Sequence, residues 1–166
     1  MESRFKLLGH PVHPMLIVYP LGLLSTGVIF DLLYVTTGNE EFAIVSFWAI
    51  AAGVIGGLAA AVFGWWDFFA IPGGTRAKAV GLWHGGGNVL VTALFALSWL
   101  LRRDDPTYLP DLLPMILALG GAALSLLTAW LGGELVFRLR VGVDDGASLD
   151  APHSLRGGVA EVERPL

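Results

Sequence analysis

The sequence predicts an all-α integral membrane protein: a four-helix bundle, up-down-up-down, with both termini in the cytoplasm. Three observations predict it. The chain of 166 residues is 55% hydrophobic and only 14% charged, whereas a soluble domain carries roughly a quarter charged residues. It holds apolar stretches that each exceed the ~20 residues a helix needs to cross ~30 Å of hydrocarbon. Its lysines and arginines are concentrated on alternate loops. Helices follow because lipid offers the backbone no hydrogen-bond partner outside the chain itself.

The first stretch runs from about Pro14 to Thr36 and carries one acid, Asp31. Pro14 suits a first helical turn. Pro20 lies inside the span and predicts a kink, because it removes a backbone donor. Met1–Lys6 before it is short and weakly basic. The apolar stretch is too long for a signal-peptide core and no small-residue cleavage site follows, so it reads as an uncleaved anchor. The second stretch runs from about Phe42 to Ile71, holds Asp67 near its end, and stops at Pro72-Gly73-Gly74. The third runs from about Ala79 to Leu101 and contains His84. The fourth runs from about Leu109 to Phe137, is opened by Pro110 and Pro114, and holds Glu134 near its end. Short loops predict that consecutive helices are antiparallel neighbours. Gly53, Gly57, Ala60 and Gly64 share one face of helix two, and Gly81 with Gly85 does the same in helix three. Such faces let backbones approach in lipid, within one chain or in a homodimer. Residues 1–143 thus form the transmembrane domain. Residues 144–166 read as a flexible polar cytoplasmic tail.

Orientation follows from charge. Arg4, Lys6, Arg76, Lys78, Arg138, Arg140, Arg156 and Arg164 fall on one side, Arg102 and Arg103 on the other. The richer side is the cytoplasmic face of a bacterial inner membrane. The absence of cysteine excludes disulfides, thiolate metal sites, iron–sulfur ligation and c-type haem. No basic face for nucleic acid is present. No nucleophile motif or phosphate loop appears, and Gly85-Gly86-Gly87 lies inside an apolar helix rather than after a strand. The partners this leaves are the lipid bilayer and other membrane subunits or a redox partner.

Polar groups inside a span are the default functional candidates. His10, His13, Asp67, His84 and Glu134 all fall within roughly 10 Å of the cytoplasmic edge, at ~1.5 Å per residue. Asp31 lies near the outer end. The spacing of His13 to Asp67 resembles that of His84 to Glu134. Two like-oriented hairpins related by an axis along the membrane normal would gather both histidines and both carboxylates. Two chemistries suit this set. One is haem b on His13 and His84, with Arg76, Lys78, Arg138 and Arg140 for the propionates and aromatic residues as lining. The other is a divalent metal held by His10, His13, Asp67, His84 and Glu134.

A structural alternative gives each residue a local task. His10 and His13 precede prolines, which disfavour helix at those positions, and His13 would cap helix one. Glu134 would pair with Arg138, four residues on. Asp67 would bond a loop N–H or His84, and Asn88 would bond across helices. On that view the protein is a non-catalytic structural or accessory subunit of a larger membrane complex. A transporter is disfavoured, because only Asp31 and the hydroxyls of Ser25, Thr26, Thr92 and Thr128 occupy the remaining depth.

The segment Gly9-His10-Pro11-Val12-His13-Pro14, with Tyr19-Pro20-Leu21-Gly22 after it, combines with His84, Asn88 and Gly132-Gly133-Glu134-Leu135-Val136-Phe137. Together these resemble the bacterial membrane family known as domain of unknown function 2231, over roughly Gly9 to Val143. The resemblance implies four membrane helices. Some members resemble partners of Rieske-type iron–sulfur domains, which implies redox work. The family pattern has a histidine after the aromatic-arginine pair closing helix four, where this chain has Leu139. That departure weakens any scheme using a histidine there and leaves His13 and His84.

Overall fold

The computed structural model describes residues 1–155. Arg156 and Arg164 of the charge count, and the rest of the tail beyond 155, lie outside the described residues. A short hairpin opens the chain: β1 (Lys6–Leu7) pairs antiparallel with β2 (His10–Pro11). Leu8 and Gly9 turn it at φ 52° and 84°. Four long apolar helices follow, each long enough to cross a membrane.

The first span is α1 (Val12–Leu16) followed by α2 (Val18–Thr37), interrupted at Ile17. Pro20 has no N–H for the Leu16 carbonyl, so one rung is missing there, while Ile17 keeps helical dihedrals and backbone bonds to His13 and Leu21. The second span is α3 (Glu40–Ala70). Asn39 caps it by accepting from the Glu41 N–H at 3.0 Å, and Glu40 and Glu41 complement the helix dipole. The third is α4 (Arg76–Arg102), capped by Thr75, whose hydroxyl accepts from the Lys78 N–H at 3.1 Å. The fourth is α5 (Leu112–Gly133), which continues as a π-helical turn over Glu134–Arg138.

Three boundaries differ from hydropathy for physical reasons. The second and third helices start earlier, because polar caps and first turns precede the apolar run. The fourth starts later than Leu109, beyond the Asp111 cap, because Tyr108 takes a left-handed conformation at φ 57°. Arg102, expected in an outer loop, is the last residue of α4 and fully buried.

Close contacts show the two hairpins to be antiparallel. Descending positions Gly27, Leu24 and His13 of the first span meet ascending positions Ile50, Gly53 and Gly64 of α3. In the second hairpin, Phe95 meets Gly121 and His84 meets Gly132. Leu24, Ile50, Val91, Phe95 and Ala118 form the buried mid-section where the hairpins join. Large apolar side chains such as Ile55, Leu112, Leu126 and Phe137 cover the outside, as a lipid-facing surface requires. The Met1 ammonium donates to the Arg140 carbonyl at 3.1 Å, so the N-terminus and the end of the fourth span share one end of the bundle.

Candidate functional site

The two hairpins repeat a set of contacts, more clearly than they repeat residue identities. Moving 71 positions takes His13 to His84, Leu24 to Phe95, Gly27 to Ser98 and Asp31 to Arg102. Moving 68 positions takes Gly53 to Gly121, Gly64 to Gly132, Ala60 to Thr128 and Ser46 to Pro114. The contacts repeat with these registers. Gly53 packs on Leu24 as Gly121 packs on Phe95, and Gly64 on His13 as Gly132 on His84. Gly27 approaches the Ser46 carbonyl, while Ser98 Oγ donates to the Pro114 carbonyl at 2.7 Å. Residues that touch their own equivalent lie on the axis relating the halves. Among the described residues, His13 with His84 and Asp31 with Arg102 are such pairs.

At the histidine end the imidazoles stand with ring centres 6.5 Å apart and planes at 89°. His13 Nδ1 lies 2.9 Å from the Ala60 carbonyl, and His84 Nδ1 lies 2.8 Å from the Thr128 carbonyl. A carbonyl oxygen only accepts, so in both rings Nδ1 carries the hydrogen. A neutral ring then keeps its lone pair on Nε2. That is the tautomer in which histidine ligates a metal, with the other nitrogen held by an outer partner. Gly64 and Gly132 permit this packing: a methyl at Gly64 would stand 2.8 Å from His13 Cε1, and one at Gly132 would stand 3.1 Å from His84 Cε1. Asn88 does bond across helices, through Thr128 Oγ1 donating to its Oδ1 at 3.0 Å.

The other sequence candidates lie elsewhere. His10 sits in the hairpin and faces Ser154 Oγ at 3.3 Å. Asp67 does not meet His84. It accepts from Ser3 Oγ at 2.7 Å and from the Arg4 N–H at 2.8 Å, which anchors the N-terminal segment. Glu134 pairs with Arg76 of α4 rather than with Arg138. His13 does not cap its helix but bonds across to α3. The carboxylates were matched by chemical type, whereas register makes Leu135 the equivalent of Asp67 and Trp66 that of Glu134. Among the described residues no three histidine or carboxylate groups stand close enough to hold one metal ion. The five-residue metal set is therefore not assembled; the two histidines are.

Sequence reasoning missed the second axial pair. Arg102 Nη1 and Nη2 donate to the two Asp31 carboxylate oxygens at 2.6 and 2.8 Å, and neither residue is exposed. Ser46 Oγ and Ser98 Oγ accept from the same guanidinium at 3.2 and 2.9 Å. Through Ser98 and the Pro114 carbonyl, the network ties all four spans together. The signal was present in the sequence: Asp31 and Arg102 each follow a histidine by eighteen residues, which is five helical turns.

The described part of the chain after the fourth span joins the histidine end. Lys6 Nζ donates to Glu2 at 2.6 Å and to Asp144 at 3.0 Å, and the Asp145 N–H donates to Glu2 at 3.1 Å. The Lys6 hydrogen bond holds both carboxyls below their usual range, and the Glu2 bond raises Lys6. A family model described as "Predicted membrane protein (DUF2231)" matches residues 9–145. No curated protein and no solved structure matches the chain.

Proposed function

The chain belongs to this family of membrane proteins, and from that premise we propose that it is a small redox membrane protein binding one haem b between His13 and His84, with the histidine end facing the cytoplasm. One observation carries this reading: two imidazoles from equivalent positions stand 6.5 Å apart with each Nδ1 bonded to a carbonyl, His84 Nε2 also facing Asn88 Nδ2 at 3.5 Å. Ligand count favours haem over a bare ion. A structural zinc site takes four protein ligands and a catalytic one three, whereas haem iron asks the protein for at most two axial ligands. Spacing supports it as well. Two imidazoles on opposite sides of one iron, at metal–nitrogen distances of about 2 Å, have ring centres about 6 Å apart. Gly64 and Gly132 each lie against one of the rings.

Haem supplies one-electron chemistry when bound. The protein's part is to fix both imidazoles in the ligating tautomer, to set the surrounding polarity, and to keep water away through the apolar mid-section. Arg138 and Arg140 would be the partners for propionates, since Arg76 is paired with Glu134 and Lys78 Nζ donates to the Phe68 carbonyl at 2.7 Å.

The test is an absorption spectrum of the detergent-purified full chain, oxidised and reduced, with metal analysis on the same sample. The expected result is a Soret band that sharpens on reduction and is absent from the His13→Ala/His84→Ala double variant. A colourless, iron-free protein, with added haem giving the same spectrum in the double variant, would overturn the proposal. It would return the chain to the structural-subunit class.

A further inference from the structure

We propose that the groove between the end of α3 and the start of α4 binds a phospholipid with an anionic headgroup, its phosphate held at Lys78 and an acyl chain laid against Leu82. Nothing in this depends on the histidine layer.

The groove has a volume of about 430 Å³ and is lined by Phe68, Gly74, Thr75, Lys78, Ala79 and Leu82. All but Phe68 follow one another along the turn before α4 and its first two turns. The stretch from Thr75 to Leu82 covers roughly 10 Å of helix, at ~1.5 Å per residue. Its chemistry changes along that length. At the rim, a side chain begun at Gly73 or Gly74 would meet nothing within 4 Å, so a headgroup can approach the backbone there. Thr75 and Lys78 come next, and Ala79 and Leu82 form the apolar wall beneath them. Leu82 is exposed, as are Phe69 and Trp83, the chain neighbours of Phe68 and Leu82. Because α4 is long and apolar enough to cross the membrane, the groove runs from headgroup level into hydrocarbon. A phospholipid presents the same order, phosphate first and acyl chain below. A free phosphate would use the rim alone and leave the apolar wall without an occupant.

Charge selects the headgroup. Lys78 Nζ donates to the Phe68 carbonyl at 2.7 Å and lies 3.9 Å from the centre of the Phe68 ring. Both contacts hold the ammonium at the groove, and neither neutralises it. An ammonium has three hydrogens, so two are left for phosphate oxygens. No described carboxylate pairs with Lys78, whereas Lys6, Arg76 and Arg102 each have a carboxylate partner. A basic residue without such a partner, at the membrane surface, is drawn to anionic lipid. A second cavity, of about 330 Å³, is lined by Trp130, Gly133, Glu134, Phe137 and Arg138. It sets a carboxylate beside its cation, and a carboxylate repels phosphate. The second cavity is therefore the control.

The test mixes the full chain in detergent with phosphatidylglycerol or with phosphatidylcholine of the same acyl chains, and counts bound lipid by native mass spectrometry. The unaltered chain is expected to retain phosphatidylglycerol in preference to phosphatidylcholine. Lys78→Gln, which keeps a donor for the Phe68 carbonyl, should weaken phosphatidylglycerol binding at least about fivefold, the ordinary contribution of one basic residue at an anionic surface. It should leave phosphatidylcholine unchanged. Lys78→Arg, which keeps the charge, should keep the preference. Ala79→Trp, which fills the apolar wall, should weaken both lipids, and Arg138→Gln should alter neither. Equal retention of the two lipids by the unaltered chain would overturn the proposal. So would a preference lost in Arg138→Gln and kept in Lys78→Gln. Glycerol 3-phosphate binding as tightly as phosphatidylglycerol would also overturn it, because the site would then recognise a free phosphate and not a lipid.

Discussion

The histidine layer and the ion-pair layer occupy equivalent positions at the two ends of one axis, and they treat that axis in opposite ways. A repeated hairpin brings like positions face to face. Where those positions bear charge, two identical residues would repel, and in a low-dielectric interior the repulsion is large. At one end the halves differ, as Asp31 and Arg102, which pair directly with help from Ser46 and Ser98 and leave only Arg102 Nε without a partner. At the other end they carry the same residue, His13 and His84, in the same tautomer and against the same glycine. Two imidazoles whose Nδ1 hydrogens are already committed have only lone pairs left to offer each other. They cannot satisfy one another as the ion pair does. The comparison teaches that one layer pairs its two axial residues directly, leaving only Arg102 Nε without a partner, while the other bonds each imidazole to a backbone carbonyl and not to its equivalent.

The largest expected effect tests the ion-pair layer. Arg102→Leu leaves Asp31 buried without its partner, and breaking such a pair costs about 3–5 kcal/mol. Thermal unfolding in detergent should show a large loss. The Asp31→Leu/Arg102→Leu double variant should recover most of it, because no charge is then stranded. A double variant as unstable as the single one would mean that the pair is more than a fastening. A smaller effect probes the histidine layer. Gly64→Ala places a methyl 2.8 Å from His13 Cε1, and overpacking of this kind costs about 1–3 kcal/mol. Haem retention should fall with it, whereas Gly22→Ala, with nothing within 4 Å, should change neither. Equal behaviour of the two variants would count against the tight glycine–imidazole contact.

The smallest effect concerns the strap that covers the histidine end. Glu2 and Asp144 have folded-state values held low by Lys6. Their contribution is present above the unfolded carboxylate range and lost as pH falls through the lowered values. Lys6 is raised by Glu2, so its contribution is lost only as pH rises through that raised value. The strap should therefore be most protected at intermediate pH. Protection of the amides in residues 1–9, measured against their intrinsic exchange rates at each pH, is expected to fall below about pH 4, where free carboxylates take up protons, while protection in α3 and α4 is kept.

Much of this architecture was legible in the sequence, and the failures were specific. Spans can be read because apolar length is dictated by the bilayer. Their ends were shifted because Asn39 and Thr75 caps are polar and precede the apolar run. That His13 and His84 turn inward toward each other was legible because a histidine inside a span is costly to leave facing lipid. Arg102 was misplaced in a loop because a charge at the edge of an apolar run looks like a boundary. Only its register with Asp31, measured from the two histidines, reveals that it faces inward. The acids misled for the converse reason. Asp67 and Glu134 look like partners for histidine by chemistry, but the turn that each occupies points it to the N-terminal segment and to Arg76.

The most direct test of a ligand shared by the two imidazoles is the electron paramagnetic resonance spectrum of the oxidised, haem-containing protein. With ring planes at 89°, the account predicts a low-spin ferric signal of strong anisotropy, typical of mutually perpendicular imidazoles, that disappears when either histidine is replaced. A purely high-spin signal, or a low-spin signal unchanged in both single histidine variants, would contradict it.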